Sequence, residues 1–117
     1  HGVGYFLNVH EGPQAISKNN KVNFQEGMII SNEPGYYENG KFGIRIENLV
    51  RVKKDKKGYS FNNLTMVPID KSLINKNILK KNEIIWLNNY HKNVFYNLKK
   101  FMNKSELSEL RHACSKI

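Results

Sequence analysis

The chain has 117 residues, enough for one small domain with one core. A hydrophobic share of 39% and a charged share of 25% exclude disorder along the whole chain, and one cysteine, Cys114, excludes an internal disulfide and fits a reducing compartment. The formal charge of +9 raises the question of nucleic acid, but the basic residues are mainly lysines scattered over loops and helix faces, with Arg45, Arg51 and Arg111 the guanidinium donors.

The first zone, 1 to about 25, reads as strand and loop, with a short apolar stretch Tyr5-Phe6-Leu7 and a surface excursion from Ser17 to Asn23. Gly2 and Gly4 flank the chain beside His1, where missing side chains let the backbone pass close to another strand or a ligand. Two histidines near glycines, His1 and His10, carry little meaning taken alone.

The second zone is the β part. Met28-Ile29-Ile30 is a short unbroken apolar run, as expected of a strand covered on both faces. Pro34-Gly35 predicts a type II turn directly after it. Glu33 precedes the proline and is therefore extended, at the end of the strand, where it must be solvated, hydrogen-bonded or bound to something cationic.

From Phe42 to Val52 apolar side chains alternate, predicting one strand with Phe42, Ile44, Ile46, Val50 and Val52 on one face. Arg45 and Glu47 share the other face. That face is either the wet side of a half-buried strand or a place where Arg45 orients a ligating carboxylate. Lys53-Lys54-Asp55-Lys56-Lys57-Gly58 predicts a solvated hairpin tip, with a partner strand from about Tyr59 to Val67.

The third zone is helical. Ile84, Leu87, His91, Val94, Leu98 and Phe101 recur at three- and four-residue steps and share one helix face, on which His91 is expected as a satisfied core or interface histidine. Trp86 and Tyr90 are expected to pack against the sheet or a neighbouring domain. Ser105 predicts the cap of a short final helix to about Ala113, with His112 and Cys114 on a frayed, exposed end.

One imidazole and two carboxylates from separate β segments make a sensible partial ligand set for a hard or borderline divalent ion. The blocks His1-Gly-Val-Gly-Tyr-Phe-Leu-Asn-Val-His10-Glu-Gly-Pro13, Asn32-Glu33-Pro34-Gly35-Tyr36-Tyr37, Phe42-Gly-Ile-Arg45-Ile-Glu47-Asn48 and Trp86-Leu-Asn-Asn-Tyr-His91 run in order over nearly the whole chain. Together they resemble the aminopeptidase P (X-Pro aminopeptidase) branch of the pita-bread metallopeptidases. Prolidases usually carry Asp-Val-His-Asp where this chain has Asn8-Val9-His10-Glu11, and methionine aminopeptidases have a shorter run to the second histidine.

The resemblance implies an α+β fold: the C-terminal half of a pita-bread domain, a curved, mostly antiparallel sheet over about 1–70 with covering helices over about 76–114. It implies two divalent metal ions, commonly Mn2+, with His1, Glu33 and Glu47 as metal ligands and Glu47 bridging both. Two aspartate ligands and a substrate-lining histidine are expected upstream of His1. A metal-bridging hydroxide would hydrolyse the N-terminal Xaa-Pro bond, with catalytic roles for Glu33, which assists proton transfer, and His10, which binds the substrate carbonyl. Arg45 matches an arginine beside the bridging glutamate.

The implied partners are a peptide with proline second, the rest of the same polypeptide and a second copy in a homodimer. No nucleic acid and no membrane are expected, and the setting is cytoplasmic. These 117 residues alone are expected to be inactive and not to fold stably, since the strand edges that meet the missing half would be exposed. Two other readings are a pita-bread binding protein that has lost catalysis, against which the three retained ligands argue, and a basic nucleic-acid module.

Overall fold

In the computed structural model, which describes residues 1–6 and 8–117, the chain divides into two units, His1–Thr65 and Met66–Ile117. Leu7, the last residue of the apolar stretch expected at Tyr5-Phe6-Leu7, lies outside the described residues.

The first unit is built on one long antiparallel hairpin. β1 (Ile29–Asn32) pairs with β4 (Asn48–Asp55), and β2 (Gly35–Glu38) pairs with β3 (Phe42–Arg45). The register is shared: Ile30 faces Val50, Asn32 faces Asn48, Gly35 faces Arg45 and Tyr36 faces Ile44, so the residue numbers in every pair add to the same value. Between the two ladders Ile46 N–H still donates to Pro34 O at 3.3 Å. The expected turn at Pro34-Gly35 is therefore absent; the chain runs on extended, because a proline removes one donor from the ladder without reversing the strand. Reversal comes later, at Asn39–Lys41, where Gly40 takes a φ of 71° that side-chain-bearing residues rarely adopt.

The single strand expected from Phe42 to Val52 is likewise two strands, interrupted at Ile46–Glu47 opposite Glu33–Pro34. Its alternation survives only partly as burial: Val50 and Val52 are buried, whereas Phe42, Ile44 and Ile46 are exposed. β4 then turns through Lys56–Lys57 into β5 (Gly58–Asn63), placing the lysine-rich segment at a hairpin tip as expected. β5 is shorter than predicted, because Leu64 N–H still returns to Leu49 O but Thr65 spends its hydroxyl on Leu49 N–H.

The core of this unit is Ile30, Val50 and Val52, with Phe24 and Met28 packed against them. Each fully buried aliphatic side chain there contributes about 1.5–3 kcal/mol. On the free edge of β1 the first residues add a short bridge: Ser31 N–H donates to His1 O at 2.9 Å and Val3 N–H to Ile29 O at 3.1 Å. Gly2 N–H donates to Glu11 O at 2.6 Å. A Cβ on Gly2 would meet Glu11 O at 3.0 Å and Gln14 Nε2 at 2.9 Å. Gly2→Ala is accordingly expected to destabilise the protein by about 1–3 kcal/mol, read as a lowered melting temperature with unchanged baselines.

The second unit is helical. Lys80 N–H donates to Glu83 Oε2 at 2.8 Å, satisfying one of the free donors where α1 (Lys81–Leu98) begins. α1 buries Leu87, Tyr90, His91 and Val94. Tyr90 and Val94 join Leu110 of α2 (Lys104–Ala113) in a core flanked by Met66, Ile69 and Cys114.

α2 starts earlier than Ser105 suggests. Asn103 Oδ1 accepts from Ser105 and Glu106 N–H, and Glu106 Oε2 accepts from Asn103 N–H, so the reciprocal box sets the boundary. Phe101 falls in a 3-10 turn after α1 and is exposed, off the predicted face. The C-terminal end of α2 is pinned rather than frayed: Lys71 Nζ donates to the carbonyls of His112 and Ser115 at 3.0 and 2.9 Å, a cation on the negative end of the helix. Trp86 stacks on Tyr90 within this unit, with ring centroids 5.6 Å apart.

Candidate metal centre

The register of the hairpin explains what gathers at its interruption. Asn32 faces Asn48, so Glu33 and Glu47 occupy the next pair of opposed positions, beyond the last regular bonds of β1 and β4. Directly opposed carboxylates repel each other, and a strand pair tolerates them only with compensating positive charge. Arg45 supplies part of it, its Nε lying 3.4 Å from Glu47 Oε2 and 3.8 Å from Glu33 Oε2.

His1 completes the cluster from the neighbouring segment. Its Nδ1 lies 2.9 Å from Gly2 O, and since a carbonyl only accepts, the ring proton sits on Nδ1. Nε2 then faces Glu33 Oε1 at 3.2 Å. Donor atoms of His1, Glu33 and Glu47 all lie within 4.8 Å of one another. A lone pair and two carboxylates converging in this way make a place where a cation would be favoured. One imidazole and two carboxylates suit a hard or borderline divalent ion, and an imidazole that donates its other N–H to a carbonyl is oriented as metal-bound histidines usually are. The residues present fit the metal.

Two residues that the sequence left without a role hold this arrangement. Ser31, 1% exposed, donates from Oγ to Glu33 Oε1 at 2.8 Å and receives the His1 main-chain nitrogen at 3.1 Å. A serine closing an apolar run, two positions before the glutamate and on the same strand face, is the signal that marks it. Tyr37 lays its ring over two glycines, since a Cβ on Gly35 or Gly43 would each come within 2.6 Å of it. Arg45 Nη1 reaches the Tyr37 hydroxyl at 3.4 Å. The Arg45 guanidinium is held above its ordinary pKa first by this bond and its charge coupling to Tyr37, then by Glu47 and Glu33. Tyr37→Phe keeps the ring over the glycines and removes the tether. Its expected result is an unchanged melting temperature with metal affinity or turnover lowered about tenfold.

His10 is brought to the same place by a different segment. Its ring stands edge-on to His1, with centroids 4.8 Å apart and planes at 80°, while the residue itself is exposed. His91, His112 and Cys114 belong to the second unit and form no metal cluster among the described residues.

The fold and this donor set are compatible with a metal-dependent enzyme, and comparison with known proteins supplies the class. Residues 1–54 match the model of metallopeptidase family M24, and residues 57–117 match that of the C-terminal region of peptidase M24. A probable Xaa-Pro aminopeptidase P of Tuber melanosporum is 46% identical over 92% of this chain and 19% of its own length. Xaa-Pro aminopeptidase 1 of Dictyostelium discoideum is 50% identical over 80% of this chain and 16% of its own. The crystal structure of X-prolyl aminopeptidase from Caenorhabditis elegans, described as a cytosolic enzyme with a di-nuclear active site, superposes with a TM-score of 0.84 at 38% identity, covering 100% of this chain and 21% of that one.

The chain belongs to the M24 metallopeptidases, and the relatives it resembles are X-Pro aminopeptidases. It spans about a fifth of the length of those relatives.

Proposed function

We propose that this chain carries one side of the active site of a dinuclear X-Pro aminopeptidase, with His1, Glu33 and Glu47 as metal ligands. The observation that supports it most is the opposition of Glu33 and Glu47 across the interrupted hairpin, with the unprotonated nitrogen of His1 turned into the same space. Three protein donors are too few for a pair of ions, so further carboxylates must come from outside these residues; two aspartates fit. Carboxylate-rich sites of this kind suit Mn2+. When bound, two divalent cations acidify a shared water and polarise a carbonyl, which makes a nucleophile available near neutral pH.

The chain's own residues do the rest. Glu33 Oε1, already accepting from Ser31, takes the proton of the attacking water and returns it to the departing proline nitrogen. Glu47, placed opposite it and paired to Arg45, holds its charge toward the shared space. His10 reaches over the rim of the cluster and donates to the carbonyl oxygen of the first residue as negative charge develops there. The substrate is a peptide with proline second. A cytosolic setting and a homodimer complete the proposal, the former in keeping with the worm enzyme. No helix of the described residues is long and apolar enough to cross a membrane.

The test compares two peptides that differ only in proline or alanine at the second position, with the complete Mn2+-loaded protein. Release of the first residue from the proline peptide alone is expected; cleavage of neither, or of both at equal rates, sinks the reading.

A further inference from the structure

His10 presents a difficulty that the rest of the cluster does not share. His1, Glu33 and Glu47 sit in or beside a hydrogen-bonded ladder, whereas His10 is an exposed residue on an exposed loop that includes Tyr5, Phe6 and Val9. An imidazole that must meet a carbonyl oxygen to within a few tenths of an ångström needs its backbone fixed, since a displacement of about 1 Å can cost roughly a hundredfold in rate.

The structure provides the fixing through one residue. Glu11 Oε1 accepts from Asn8 N–H at 3.0 Å and from Asn8 Nδ2 at 2.6 Å, closing a ring of chain that contains Val9 and His10. The main-chain oxygen of Glu11 accepts from Gly2 N–H at 2.6 Å, and Gly2 is the residue next to His1 and is bridged to Ile30 of β1. The side chain thus shapes the turn, and the main chain ties that turn to the segment bearing the ligand His1. The edge-on contact of the two imidazoles is the geometric result.

We infer that Glu11 is a positioning residue: its carboxylate clamps Asn8 so that His10 is held at a fixed place beside His1. The inference rests on the peptidase reading for its kinetic consequence, but the clamp itself is a statement about the loop. An acceptor oxygen at the end of a side chain of this length is what the position requires, and charge is incidental. Glutamine supplies that oxygen, and alanine does not. Aspartate is one methylene short of Asn8.

The experiment uses the complete Mn2+-loaded protein and an Xaa-Pro peptide. Glu11→Ala is expected to lower kcat about tenfold to a hundredfold with bound metal and melting temperature close to wild type, and Glu11→Gln to restore kcat to within about threefold of wild type. Asn8→Ala should reproduce the Glu11→Ala loss. In a His10→Ala background, Glu11→Ala should have almost no further effect, because the two residues act as a unit.

A full additional loss in that background, or failure of glutamine to rescue, overturns the inference, as does loss of metal in parallel with rate, which would mean that Glu11 acts through Gly2 and His1 instead. A crystal structure of Glu11→Ala gives a reading independent of turnover. His10 is expected to leave its edge-on place beside His1; a ring found unmoved overturns the clamp even if the wild type cleaves no peptide, the outcome that would sink the peptidase reading by itself.

Discussion

In the complete protein, Glu47→Gln is expected, on the proposed function, to abolish cleavage of Xaa-Pro peptides, by about a thousandfold or more, and to remove bound metal measured by calorimetry or elemental analysis. The substitution keeps the size and the position of the side chain, so the loss reports charge rather than packing. A second, less obvious outcome follows from the cross-strand geometry. Without metal, Glu47 stands opposite Glu33, and Arg45, His1 and Ser31 only partly offset their mutual repulsion. In chelator-treated protein, Glu47→Gln should therefore melt no lower than the wild type. In the presence of Mn2+ the order reverses, because only the wild type gains the stabilisation that comes from binding a ligand to the folded state. Thermal melts of both proteins with and without Mn2+ make the comparison. A metal-free Glu47→Gln protein that melts well below the wild type would mean that the glutamate serves the fold, and that the opposed pair is not a charge waiting for a cation.

The second large effect concerns acid. His91 is fully buried, and Nε2 accepts from Ile69 N–H at 3.1 Å, so its ring carries the proton on Nδ1, which has no hydrogen-bond partner among the described residues. Burial lowers its pKa from the ordinary 6.5, and the charge of Lys71 lowers it further. Protonating Nε2 would also expel the Ile69 N–H. Nearby in this unit, the Tyr90 hydroxyl donates to Val67 O, and burial pushes the Cys114 thiol up.

The sign follows from where protons bind. The unfolded chain takes up a proton on this histidine below about 6.5, and the folded chain resists doing so. The stabilisation of Met66–Ile117 is therefore complete above about pH 6.5 and declines as the pH falls below it, until the lowered folded-state pKa is reached. Hydrogen exchange of residues 66–117, corrected for intrinsic rates, should show weaker protection at pH 5.5 than at 7.5. His91→Gln keeps an acceptor without a titration and should flatten that dependence. His91→Ala leaves a cavity and an orphaned Ile69 N–H, with an expected cost of about 2–4 kcal/mol. Equal protection at the two pH values would contradict this account.

Periodicity found the buried face of α1 at Leu87, His91 and Val94, because a helix repeats a single geometric rule and those residues obey it. It misplaced Phe101, since the chain tightens into a 3-10 turn before reaching it. The cap of α2 was read two residues late because a serine and an asparagine are both good caps; the glutamate three residues after Asn103 decides between them. In the β unit the sequence showed alternation but not partners. Pro34-Gly35 looked like a reversal, and only the register shows that the partner strand supports an extended chain through it.

The cluster itself was legible only in combination. His1, Glu33 and Glu47 are unremarkable singly, and it is the resemblance of the blocks that carry them to the aminopeptidase P family that sets them apart. Ser31 is marked only by its place two positions before Glu33 on the same strand face, and Tyr37 less still, since a ring lying on two glycines is a consequence of tertiary packing. Lys71 is invisible for the same reason, 41 and 44 residues away in sequence from the carbonyls it pins.

The shared register has a consequence for the ions a site of this kind accepts. Glu33 and Glu47 stand in the gap between two ladders that keep one register, so the backbone hydrogen bonds on both sides of the gap limit the interval between the two strands there. Changes in the Asn39–Lys41 reversal or the lysine-rich tip leave that interval alone. Under the proposed function, a cation of another size would have to be met by turning the carboxylates about their side-chain bonds, and Ser31 on one glutamate and Arg45 on the other would limit that rotation.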